Sequence, residues 1–161
     1  MPFSHRVFCR ETALPSLSEV LVWLRQHEYP VKVAGGRSSG DMLSSFWEQL
    51  ALSVDDGEPP LTLTCTRADR AGMNRLAEEV ADFAADVGEL PDSPGRTRVL
   101  EQLAATRALV TIEFGAAGGS TRAHDTAESI ATLLVERTQG LAQRDGQGFL
   151  DEDDDLVLAL G

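Results

Sequence analysis

The chain has 161 residues, 42% hydrophobic and 25% charged, which is enough apolar material for one packed core and argues against a disordered chain. Its 14 Lys and Arg against 26 Asp and Glu give a formal net charge of −12. Such a field repels phosphate backbones and anionic membranes and attracts basic protein surfaces, so neither nucleic acid nor membrane is expected as a partner.

In chain order, the opening Met1-Pro2-Phe3-Ser4-His5-Arg6 has no apolar run of the signal-peptide kind, and no later stretch reaches the length of a membrane helix. A cytoplasmic protein is therefore expected. His5 to Arg10 reads as a first strand, with Val7 and Cys9 on one face and Phe8 on the other. Ser16-Leu17-Ser18-Glu19 fits a capping box, with Ser16 as cap and Glu19 reaching back. The helix that follows carries Leu17, Val20, Leu21 and Leu24 on one stripe and should stop near Tyr29, ahead of Pro30. Val31-Lys32-Val33-Ala34 reads as a short strand.

The clearest signal is a hairpin, 49–54 with 61–67. Leu50, Leu52 and Val54 alternate on the way in, and Leu61, Leu63 and Cys65 on the way out, around the turn residues Asp55-Asp56-Gly57-Glu58-Pro59-Pro60. Thr62, Thr64 and Thr66 fill the other face. Met73, Leu76, Val80, Phe83, Ala84 and Val87 recur at helical spacing, and Ser93-Pro94 caps a further helix through Val99, Leu100 and Leu103.

Ala108-Leu109-Val110-Thr111-Ile112-Glu113-Phe114 is a strand. It leads through Gly115-Ala116-Ala117-Gly118-Gly119-Ser120 into a helix with Ala127, Ile130, Ala131 and Leu134 inward and Gly140 as its left-handed terminator. Phe149-Leu150 and the apolar run from Leu156 to Leu160 read as a terminal hairpin turning at the acidic residues. The order is β-α-β-β-β-α-α-β-α-β-β. The fold class is a single α+β domain over 1–161, a two-layer sandwich of a largely antiparallel sheet with helices on one face, compatible with two ferredoxin-like halves.

No motif fixes a reaction. Gly35-Gly36-Arg37-Ser38-Ser39-Gly40 has P-loop glycine spacing, but Asp41 and Met42 stand where Lys and Ser or Thr are required. The loop Gly115 to Ser120, with Gly118, Gly119 and Ser120 as binding residues, is the better anion candidate, because a helix N-terminus offers unpaired N–H groups and Arg122 adds charge. Its spacing is not G-x-G-x-x-G. Asp151-Glu152-Asp153-Asp154-Asp155 fails the EF-hand pattern whether the loop starts at Asp151 or at Asp145, so a solvated turn without metal is expected. Cys9 and Cys65 form no C-x-x-C or zinc spacing and sit on the apolar side of their strands. No cofactor, metal or catalytic set is expected.

Trp47-Glu48, Arg67 and the tail Gly140-Leu141-Ala142-Gln143-Arg144-Asp145-Gly146-Gln147-Gly148-Phe149 resemble a group of uncharacterised bacterial proteins. In that group a tryptophan opens the central hairpin, an arginine ends it, and an Asp-Gly-x-Gly-Phe turn precedes the last strand. The likeness spans most of the chain and implies a common fold without a chemistry. Leu150 stands where the group is expected to carry an aromatic, usually tyrosine.

Two functions are expected. The first is a non-enzymatic protein-interaction or regulatory module, of the immunity type among others. Its contact face would be Phe8, Thr62, Thr64, Leu109 and Thr111, left open by helices that all lie on the other side, and through it the chain would form a homodimer or bind a protein partner. The alternative is a small-molecule or anion-binding enzyme at the glycine loop, with Arg67, Glu113 and Asp145 as polar groups.

Overall fold

Eight strands form one sheet in the order β2-β3-β4-β5-β1-β6-β7-β8, every neighbouring pair antiparallel. The strands are β1 (Ser4–Cys9), β2 (Lys32–Val33), β3 (Gln49–Ser53), β4 (Leu61–Arg67), β5 (Ala108–Glu113), β6 (Leu141–Arg144), β7 (Gly148–Leu150) and β8 (Leu156–Ala159). Four helices complete the described chain: α1 (Leu17–Gln26), α2 (Met73–Gly88), α3 (Pro94–Ala104) and α4 (Thr121–Thr138). The computed structural model describes residues 4–34, 42–68, 73–115 and 119–160, so the glycine loop at 35–40 lies outside the described residues.

The α+β class and the antiparallel sheet follow the sequence pattern. The hairpin pairs Leu50 with Leu63 and Leu52 with Leu61, all buried. Alternation also sorts the two faces as expected. Val7, Leu63, Val110 and Ile112 join one core with Leu17, Val20 and Leu24 of α1 and Ala127, Ile130 and Leu134 of α4.

The other face is where the expectation fails. Phe8 is fully buried and Leu109 is 1% exposed, in a second core with Leu76 and Val87 of α2, Val99 and Leu103 of α3, and Phe149. Phe83 of α2 meets Phe8 edge-on at 5.3 Å, and the Gln102 side chain of α3 donates to the Phe8 carbonyl at 2.9 Å. The helices therefore occupy both faces, one pair each, and Phe8 and Leu109 form no open contact surface. Amphipathic stripes reveal that a helix must be covered, but not which side of a sheet it covers. Two ferredoxin-like halves are not formed either, because β5 lies between β4 and β1.

Three local details also differ from the pattern. Ser16 caps α1 by accepting from the Glu19 N–H at 3.2 Å, while the Glu19 carboxylate turns to Arg137 instead of reaching back. The left-handed terminator of α4 is Gln139, at φ 52°. Gly140 serves close approach instead, since a Cβ there would lie 3.0 Å from Val7 Cγ1 and 3.1 Å from the Phe8 carbonyl oxygen. Leu141–Arg144 is an additional strand, paired to β1 on one side and β7 on the other.

Candidate functional site

Arg67 ends β4 and is 8% exposed. Its Nε donates to the Thr12 carbonyl at 2.8 Å, Nη1 to the Trp47 carbonyl at 2.8 Å and Nη2 to the Ser45 carbonyl at 3.3 Å. A buried guanidinium requires such partners, and here backbone carbonyls of two separate segments supply them. Trp47 fixes the same corner from below, donating from Nε1 to the Pro15 carbonyl at 2.8 Å, and the Leu14 N–H donates to the Ser45 carbonyl at 2.9 Å. Between the pinned residues Ser45 and Trp47, Phe46 stands out into solvent, 60% exposed, with its ring 5.5 Å from the Arg67 Cζ. Leu43, three residues earlier, is 72% exposed. Glu11 and Glu48, each next to a residue that accepts from Arg67, are exposed as well. The corner thus pins the backbone on both sides of an exposed aromatic side chain.

A second feature lies on the half of the other sheet face that α2 and α3 leave uncovered. A groove of about 270 Å³ has Thr64, Thr66 and Thr111 in its floor. Arg6, Arg75, Glu79, Asp82 and Glu113 stand around it, and Phe83 and Leu109 line its apolar part. The Arg6 Nη1 donates to Asp145 Oδ1 at 2.7 Å and to Gln143 Oε1 at 2.8 Å, with its Cζ 5.2 Å from the Phe83 ring centre. Asp145 also accepts from the Ser4 N–H at 3.0 Å. Partial burial raises the Asp145 pKa, but the hydrogen bonds from Arg6, Gln143 and Ser4 outweigh it and leave the carboxyl below its usual range.

The glycine loop is a third place. Gly118 lies outside the described residues; Gly119 has φ +76° with Phe114 too near for any Cβ, and Ser120 caps α4 by accepting from the Ala123 N–H at 3.2 Å. The Ser120 Oγ donates in turn to the Glu58 carboxylate at 3.0 Å. A carboxylate of the chain itself therefore occupies the neighbourhood where an anion would bind. Arg122 is exposed on the first turn.

The structure brings Thr64, Leu109, Thr111 and Glu113 to one groove, with Asp145 one arginine away and Thr62 paired across from Glu113. It separates them from Gly119 and Ser120, which line a different pocket with Glu58 and Phe114, and from Arg67. Sequence reading missed Arg6, although it shares period-two alternation with Phe8, and missed Phe46, whose signal was only its place beside Trp47.

The acidic run is a built turn. Asp151 Oδ1 accepts from the N–H of Asp153 at 2.9 Å and of Asp155 at 3.0 Å, Arg98 lies near Asp151 and Glu152, and Arg144 pairs with Asp154. Among the described residues no cluster of His, Cys, Asp and Glu is arranged to hold a metal ion, and no helix is long and apolar enough to cross a membrane. The Cys9 thiol, buried in β1, is pushed up to about 12 by desolvation, far from a nucleophile's range.

No protein-family model, curated protein or solved structure matches this chain.

Proposed function

We propose that the protein is a non-enzymatic interaction or regulatory module, of the immunity type among others, acting in the bacterial cytoplasm on a basic protein partner. What supports the reading is one observation above all: a buried arginine and a buried tryptophan spend their hydrogen bonds on holding Phe46 in solvent. An aromatic anchor on a fixed backbone loses little conformational freedom when it enters a partner's pocket. Glu11, Glu48 and the net charge of −12 favour a positively charged rim around that pocket. The buried thiols of Cys9 and Cys65 form no disulfide, which suits a reducing compartment.

The alternative, an anion-binding enzyme at loop 115–120, has no comparable support, because the Glu58 carboxylate stands against Ser120. Affinity capture from an extract of the source cells tests the main reading, with the parent chain and Phe46→Ala as baits. A basic protein held by the parent at low salt, released at high salt and not held by Phe46→Ala is the expected result. The same proteins on both baits would overturn it.

A further inference from the structure

The corner that holds Phe46 carries a second exposed apolar side chain. Leu43 is 72% exposed, and among the described residues only Val22, Phe46 and Leu156 join it as exposed large hydrophobic side chains. Val22 lies on α1 and Leu156 opens β8, so two of these four fall within one stretch of four residues.

The backbone of that stretch is braced. Met42 packs against the first core, the Ser44 Oγ accepts from the Phe46 N–H at 3.1 Å, and the Ser45 carbonyl accepts from the Leu14 N–H and from Arg67. Met42 and Trp47 pack into the core while Leu43 and Phe46, between them, stand in solvent. Two large apolar side chains left in water forgo the free energy of burial, and a fixed backbone lowers the ordering cost of a later contact. Three residues span at most about 10–11 Å of chain, so one groove can take both side chains.

Charge decides what kind of surface receives them. Glu48 follows Phe46 by two residues, Glu11 precedes the Thr12 whose carbonyl holds Arg67, and both are exposed. Arg67 itself is buried, and the whole chain carries −12. A second copy of the chain, or a surface of anionic lipid, would bring like charges together; a basic protein brings opposite ones.

Resting on the Phe46 contact proposed above, we infer that Leu43 is its second anchor, and that one apolar groove with a rim of Lys or Arg, on a basic protein, receives both side chains.

The test is photo-crosslinking in the source cells with the full chain, a benzoylphenylalanine standing at position 43, 46 or 156, the last as an exposed apolar control. Positions 43 and 46 should each link to one and the same basic protein, on neighbouring peptides of it, and position 156 should not. With that protein purified, Leu43→Ser should weaken binding on the order of tenfold, the worth of one leucine taken out of water, while its urea midpoint stays that of the parent. Added salt should weaken the binding of the parent. A link to a basic protein from 46 alone, or links from 43 and 46 to different proteins, would defeat the second anchor and leave the Phe46 contact standing. So would binding of Leu43→Ser equal to that of the parent. Without a link from 46 to a basic protein both fail, and links from both positions to a second copy of the chain would replace the basic receiver with a homodimer.

Discussion

Arg67 and Arg6 each hold a guanidinium near a phenyl ring, with Cζ 5.5 Å from the centre of Phe46 and 5.2 Å from that of Phe83. Their surroundings are opposite. The Arg67 donors go to neutral backbone carbonyls and its ring is left in water, whereas Arg6 is charge-matched by Asp145 and its ring belongs to the core with Phe8 and Phe149. The difference separates two uses of one contact. Around Arg6 the aromatic serves the fold; around Arg67 the fold serves the aromatic.

The core side of the comparison carries the largest expected effect. Phe8→Ala removes the ring that α2, α3 and β7 share, and should cost about 3–5 kcal/mol in chemical denaturation. A loss under about 1 kcal/mol would mean that α2 and α3 do not cover this face. Next comes Arg67→Met, which keeps apolar bulk but strands the carbonyls of Thr12 and Trp47, while the Ser45 carbonyl keeps the Leu14 N–H. It should cost about 2–3 kcal/mol, and an unchanged midpoint would show the corner to be held by something else.

Arg6→Gln should cost only about 1 kcal/mol, because the pair with Asp145 is partly solvated. That cost should also depend on pH. The Asp145 carboxyl titrates below its ordinary value of 3.8, so its contribution is complete above that value and is lost as the pH falls below it. The Arg6→Gln penalty should therefore shrink in acid and the Arg67→Met penalty should not, in parallel urea titrations at neutral and acid pH.

His5 adds a separate acid dependence. Desolvation, with the nearby charges of Arg144 and His124, lowers it from 6.5 to about 4, against a smaller opposing pull from Asp145. Its neutral form stabilises the fold fully above about 6.5, and that stability is lost progressively as pH falls towards 4. His5→Asn should flatten the slope of stability against pH in that window; an unaltered slope would place the dependence elsewhere. The smallest effect belongs to the acidic turn, where Asp153→Asn with Asp155→Asn should leave the melting temperature within a few degrees, since these residues contribute N–H groups to Asp151 and those groups remain.

The Arg6 side of this comparison was only partly legible in the sequence. Period two sorted Phe8, Thr64 and Leu109 onto one face correctly, and turn residues marked the β3–β4 hairpin. What covers that face depends on the path of α2 and α3, which the stripe Leu76, Val80, Phe83 and Val87 does not encode. Leu141-Ala142-Gln143-Arg144 escaped as a strand because all four residues are buried, polar ones included, so it has no alternation to read. Arg67 was singled out as a ligand group, but a guanidinium that serves backbone carbonyls looks the same in sequence as one that awaits an anion.

The most direct test of the central claim is urea unfolding of Phe46→Ala. If the Arg67 corner exists to present this ring, removing it should change stability by less than about 1 kcal/mol, since little apolar area returns to water and only an exposed cation–π contact is lost. A loss of about 3 kcal/mol, like that of a core phenylalanine, would contradict the account and make Phe46 part of the packing.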